Sequence, residues 1–144
     1  MLSRRLALVL PLAVLAAGTG YTLLQPALAS PTLDAETAFQ RAKADEIILV
    51  DIRQPEEWDQ TGSPKGAHRI DLRSPDFLDR LSDLAGGDRS RAIALICASG
   101  GRSARTARAL SDAGFTSVLD VSEGMLGSSA GPGWVARGLP VVAD

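Results

Sequence analysis

The sequence predicts a single α/β domain built on a central parallel sheet with helices on both faces. Three observations predict it. Short apolar runs at 47–50, 92–96 and 117–121, rich in Ile, Leu and Val, have the length and composition of buried strands. Between them lie stretches whose apolar residues recur at helical spacing. Strands alternating with helices over about 110 residues pair in parallel, since each crossover consumes a helix, and the helices then cover both faces. The chain of 144 residues, 45% hydrophobic and 22% charged, suits one packed domain plus a short extension.

The extension is N-terminal. Met1-Leu-Ser-Arg-Arg5 is a short basic start, and Leu6 to Gly18 is an apolar run interrupted only by Pro11. Ala27 and Ala29 are the small residues that a signal peptidase needs. Residues 1–29 therefore read as a signal peptide cleaved before Ser30, and 30–144 as the domain of an exported, periplasmic protein with no stable membrane association after cleavage. The alternative is a retained anchor over Leu6 to Leu24. That run is barely long enough to span a bilayer and contains Gly18, Thr19, Gly20 and Thr22. The net charge of −2, with no basic stripe interleaved with aromatics, excludes nucleic acid as a partner.

Within the domain, 30–33 reads as a linker and Asp34 as the cap of a helix over 35–44. The strand at 47–50 leads to Asp51-Ile-Arg53, read as a structural ion-pair set with Glu56 or Glu57 as a further partner for Arg53. Pro55 fits the first turn of a short helix over 54–58. A turn at 61–66 precedes a brief strand at 67–72. Ser74 and Pro75 open a helix carrying Phe77, Leu78, Leu81 and Leu84, stopped by Gly86-Gly87. The strand at 92–96 runs into Cys97, and a helix over 103–113 ends before Gly114. After the strand at 117–121 the chain is turn-rich, with one more short helix expected at 134–137.

Cys97 is the only cysteine, so no internal disulfide can form. An odd cysteine in an exported chain is either inert or reactive, and its surroundings decide. The inert reading makes Cys97 a small apolar residue ending a buried strand. Against it stand Gly100 and Gly101, which permit tight curvature, and the positive end of a helix starting near Ser103. Arg102 adds a full charge. Such surroundings favour thiolate over thiol, bringing cysteine pKa values from about 8.5 to roughly 3.5–7.5. The same cradle suits an anionic persulfide or an oxyanion of sulfur.

The segment Cys97-Ala-Ser-Gly-Gly-Arg-Ser103 resembles the active-site loop of the rhodanese family, Cys-x-Ser/Thr-Gly-x-Arg-Ser. Asp51-Ile-Arg53 with Pro55-Glu-Glu-Trp58, Gly66-Ala67, Glu123-Gly124 and Gly138-Leu-Pro-Val141 resemble further family segments in the same order. The resemblance implies a rhodanese-like fold and a thiosulfate:cyanide-type sulfurtransferase. Cys97 is then the nucleophile, and Ala98, Ser99, Gly100, Gly101, Arg102 and Ser103 bind the substrate and cradle a persulfide. It implies small sulfur-containing anions as donors, cyanide or thiols as acceptors, and no metal or organic cofactor. Four residues separate Cys97 from Arg102. Tyrosine-type phosphatases need five, so the ring suits one sulfur better than a phosphoryl group.

The chain departs from the family pattern at Ala98, where Arg or Gln is usual. The missing anion-binding side chain leaves open a non-catalytic persulfide carrier, and a rhodanese-like interaction domain is the remaining alternative. His68, the only histidine, reads as a surface or turn residue rather than a base. The 125–134 stretch is longer than the family's. It reads either as a border of the active-site mouth or as an inert surface insertion.

Overall fold

A computed structural model describes residues 29–143. The expected leader and its cleavage site fall mostly outside them. Five short parallel strands form the central sheet: β1 (Thr32–Leu33), β2 (Ile48–Asp51), β4 (His68–Arg69), β5 (Ile93–Ile96) and β6 (Val118–Val121), in the order β1-β6-β5-β2-β4. A two-stranded antiparallel ladder joins β3 (Ser63–Pro64) to β7 (Val141–Val142).

Four helices complete the fold: α1 (Ala35–Lys43), α2 (Pro55–Thr61), α3 (Phe77–Leu84) and α4 (Gly101–Asp112). Asp34 caps α1 as expected, its Oδ1 accepting the Thr37 N–H at 2.8 Å. Successive residues of a strand point to opposite faces, and both faces here are covered. Ile48, Val50, Ile93 and Leu95 pack with Phe77 and Leu81 of α3 and with Ala107 and Leu110 of α4. Ile47, Leu49, Ala94 and Ile96 pack on the other face with Ala35 and Ala38 of α1 and with Trp134. That double burial explains why the strands read as continuous apolar runs without alternation.

Four expectations are corrected. The expected linker at 30–33 contains β1, because Thr32 and Leu33 pair with Asp120 and Val121. The expected turn at 61–66 contains β3, whose partner β7 lies almost at the other end of the chain. The expected helix at 134–137 is a single turn, with the Arg137 N–H on the Gly133 carbonyl at 3.1 Å. Gly133 and Gly138 bound it at φ of 91° and 71° and stop it from propagating. Finally, α4 starts at Gly101 rather than Ser103. Gly100 at φ 84° takes the N-cap position, so Arg102 belongs to the helix.

Candidate active site

Strand β5 is central and ends at Ile96, so Cys97 emerges at the carboxyl end of the sheet, where α/β folds bind ligands. Cys97 is 0% exposed. Its Sγ accepts the Gly100 N–H at 3.2 Å and lies 3.3 Å from Ser103 Oγ. Ser103 Oγ also donates to the Gly100 carbonyl at 3.1 Å. The loop from Cys97 to Gly100 thus curls over the sulfur and passes directly into α4. The first-turn N–H groups of that helix have no acceptor within the helix and supply positive charge at the same place.

A second segment holds this loop from behind. The Met125 and Leu126 N–H groups donate to the Cys97 and Ala98 carbonyls, each at 2.9 Å. A β-carbon on Gly100 would collide with the Ser122 carbonyl. Backbone therefore meets backbone on both sides, and glycine is required at the crossing. The start of the 125–134 stretch is in this way part of the site's frame. Its remainder folds back on Glu123, a buried carboxylate that accepts the Ala35 N–H at 2.8 Å and the Gly133 N–H at 2.7 Å, and pairs with Arg137 at 2.9 Å. Burial pushes the Glu123 carboxyl up, but Arg137 and the two N–H groups together hold it below its ordinary value.

Of the expected site residues, Ala98 is half-buried and Ser99 exposed at the rim, Gly100 and Ser103 contact the sulfur, and Gly101 opens α4. Arg102 is placed differently from expectation. Its guanidinium is held by both carboxylate oxygens of Glu57, at 2.6 and 2.8 Å, which balances its charge at the mouth. The Arg102 hydrogen bond holds Glu57 below the usual carboxylate range. Glu57 is therefore not the carboxylate partner of Arg53. Arg53 is bound instead by Asp51 at 2.8 Å and gives its remaining N–H groups to Thr61 Oγ1 and to the Glu57 and Gly62 carbonyls. This buried set ties the end of β2 to α2 and so positions Glu57. His68 is exposed on β4, the far edge of the sheet.

Three residues around the site were not singled out as site residues in the sequence. Glu57 holds Arg102, Glu123 anchors the supporting segment, and Asp120 lies buried on β6 beside Leu95. The available signals were the spacing of Glu57 three residues after the helix cap and the presence of an acid inside an apolar strand. Among the described residues, no group of three or more His, Cys, Asp or Glu is placed to hold a metal ion. An apolar groove of about 440 Å³, lined in part by Leu72, Phe77, Leu78 and Thr106, runs between α3 and α4 beside Arg102.

Fold and site together define an α/β domain that sets one cysteine beneath a glycine-rich loop at a helix start. The chain belongs to the rhodanese family: residues 34–130 match the model of the Rhodanese-like domain. A sulfurtransferase of Allochromatium vinosum is 32% identical over 114 residues, covering 77% of this chain and 94% of that one. Thiosulfate sulfurtransferase 16, chloroplastic, of Arabidopsis thaliana is 35% identical over 103 residues, covering 65% and 78%. Among solved structures, a rhodanese-related protein of Thermoplasma volcanium superposes with a TM-score of 0.60 at 25% identity, covering 79% of this chain and 99% of that one.

Proposed function

We propose that the protein is a sulfurtransferase that moves a sulfane sulfur from thiosulfate, or a related small sulfur anion, to a thiophilic acceptor through a persulfide on Cys97. The observation that carries this reading is the sulfur under the loop, with the Gly100 N–H at 3.2 Å and the Ser103 hydroxyl at 3.3 Å. Both can donate to an anionic sulfur, the Gly100 N–H as it stands and the Ser103 hydroxyl by turning from the Gly100 carbonyl that it holds at 3.1 Å.

In the first step the Cys97 thiolate attacks the outer sulfur of thiosulfate. A new S–S bond forms, the old one breaks, and sulfite leaves with the bonding pair. In the second step the acceptor, cyanide or a thiolate, attacks the outer persulfide sulfur, and the pair of that S–S bond returns to Cys97. One difficult transfer becomes two displacements with no net redox change in the protein. Because Cys97 is fully enclosed beneath the loop, donor and acceptor reach it by displacing that loop.

Intact-mass spectrometry tests the reading. Incubation with thiosulfate should add one sulfur atom to the chain, and cyanide should remove it with release of thiocyanate. A mass that stays constant under thiosulfate and polysulfide alike overturns it. The reading extends to export, supported by the basic start, the apolar run and Ala27-x-Ala29. N-terminal sequencing of protein from a periplasmic fraction should begin at Ser30, whereas an intact Met1 in the membrane pellet would favour the anchor.

A further inference from the structure

Strand β6 carries one acid among apolar residues, and its place is specific. Asp120 pairs in register with Leu95 of β5, two residues before Cys97. The alternation along β6 turns Asp120 to the same face as Val118, which is the face that also buries Leu95 and Cys97 beneath α4. The residue is 4% exposed, and its Oδ1 has no hydrogen-bond partner. A buried carboxyl oxygen without a donor is costly, so a group in this position calls for a proton or a neighbouring hydroxyl.

The groups that face it are few. From α4 come the Ser103 hydroxyl and, at longer range, the Arg108 cation. Its paired neighbours on β5 and β1, Leu95 and Thr32, carry no charge. Ser103 is also the residue whose Oγ stands 3.3 Å from Cys97 Sγ, while Arg102 is the cation that feels the Cys97 charge. One hydroxyl therefore stands among three acceptors: the Gly100 carbonyl, which takes its hydrogen at 3.1 Å, and two groups that can each be anionic.

We propose that Asp120 is a positioning residue for the Cys97 sulfur: the Ser103 hydrogen, which rests on the Gly100 carbonyl at 3.1 Å, can turn to either group, and the charge on Asp120 decides which of them receives it. When Asp120 is protonated its own O–H can donate to Ser103 Oγ, and the Ser103 hydrogen can turn from the Gly100 carbonyl to an anionic sulfur. When Asp120 is ionised it draws that hydrogen to itself and sets a like charge behind the sulfur. The proton lost goes to solvent, and no bond to sulfur changes. Burial pushes the Asp120 carboxyl up against the smaller opposing pulls of Ser103 and Arg108, so the protonated form persists to higher pH than for an ordinary carboxylate. This deepens the sulfur-transfer reading and rests on it for the importance of a charged sulfur. Acid conditions then favour retention of the persulfide, and rising pH favours its hand-over.

The test follows the Asp120 carboxyl by carbon-13 NMR against pH in the full protein, without any sulfur donor. The resonance is assigned by its loss in Asp120→Asn. The ionisation of Cys97, the only thiol, is followed in parallel by thiolate absorbance. The expected result is a main inflection above 3.8, the ordinary value for the group, and a second one at the pH where Cys97 ionises. Cys97→Ser should abolish the second inflection, and Ser103→Ala should at least halve it. A single inflection identical in wild type and Cys97→Ser overturns the proposal. A second inflection unaffected by Ser103→Ala also overturns it, since the coupling would then not pass through the hydroxyl. Failure of sulfur transfer would leave this coupling intact, so the two readings fall separately.

Discussion

Gly124 presses directly against Ala98: a β-carbon built on Gly124 would lie 2.5 Å from the Ala98 carbonyl oxygen and 2.8 Å from the Ser99 nitrogen. The atoms it would meet are backbone of the loop over Cys97, so no side-chain rotation can relieve the contact. Gly124 also holds φ at 65°, where a side chain is strained. Gly124→Ala should therefore push the loop outward and lower persulfide formation at least tenfold. Strain and displacement together should cost roughly 2 kcal/mol of stability. Persulfide yield and thermal unfolding measure the two effects. Wild-type yield in this variant would mean that loop placement does not govern the chemistry.

Cys97→Ser is expected to abolish sulfur gain and thiocyanate release while leaving the circular dichroism spectrum unchanged. The exchange is nearly isosteric, and a serine oxygen can still accept the Gly100 N–H. Retained activity would remove the basis for placing the chemistry at this residue.

Glu57 neutralises the cation that the loop would otherwise offer to an incoming anion. Glu57→Gln keeps an acceptor for the Gln54 N–H, which Glu57 Oε2 now binds at 3.0 Å, but releases the Arg102 charge. The KM for thiosulfate should fall severalfold, with kcat little altered. The wild-type pair has its own pH signature. Arg102 depresses the Glu57 pKa below 4.5, so the stabilisation is complete above 4.5 and is lost as pH falls through the depressed value. For a pair this open to solvent that loss is at most about 1 kcal/mol. Chemical denaturation of both proteins between pH 3 and 7, on the order of the window set by carboxylate titration, should show the gap closing on the acid side.

The sheet and the loop were legible because their signals are local. A buried parallel strand needs an apolar run, and Cys97 to Ser103 are contiguous in sequence. What escaped depends on pairing between distant segments. Thr32–Leu33 and Val141–Val142 are too short to carry a pattern and become strands only through β6 and β3. Adjacency in sequence predicts the Arg102 charge beside the sulfur, whereas that charge is fixed by a residue 45 positions away. Glu123 is similar. In sequence it stands out only as part of a family segment, yet its carboxylate joins Ala35 to Gly133 across most of the domain.

Asp120 should destabilise the folded protein at neutral pH, because burial opposes its charge. The sign follows from linkage. A raised acid keeps its proton longer in the native state, so stability declines as pH rises from 3.8 through the folded-state value and then levels off. Asp120→Asn removes the ionisation and should unfold at a higher temperature than wild type at pH 7, with the difference shrinking as pH approaches 3.8. Calorimetry across that range decides it. An equal or lower unfolding temperature at pH 7 would show that the carboxylate is well accommodated where it lies.

Ala98 is the remaining departure with a measurable consequence. The position is half-buried at the rim of the loop, next to the exposed Ser99. The backbone donors and the helix start are already present, so persulfide formation itself needs no side chain here. With Arg102 balanced by Glu57, however, the loop offers no uncompensated cation of its own for the capture of a free dianion. Ala98→Arg should supply one and lower the apparent KM for thiosulfate with little change in kcat, which is how added uniform binding reads out. A charge-assisted contact is worth about 1.5–3 kcal/mol when desolvated, and solvent at an open rim reduces it toward about 1 kcal/mol. Since about 1.4 kcal/mol is tenfold, the expected drop is severalfold to tenfold. An unchanged or higher KM would mean that the donor is not bound at this position, and thiosulfate would then be standing in for a different sulfur source.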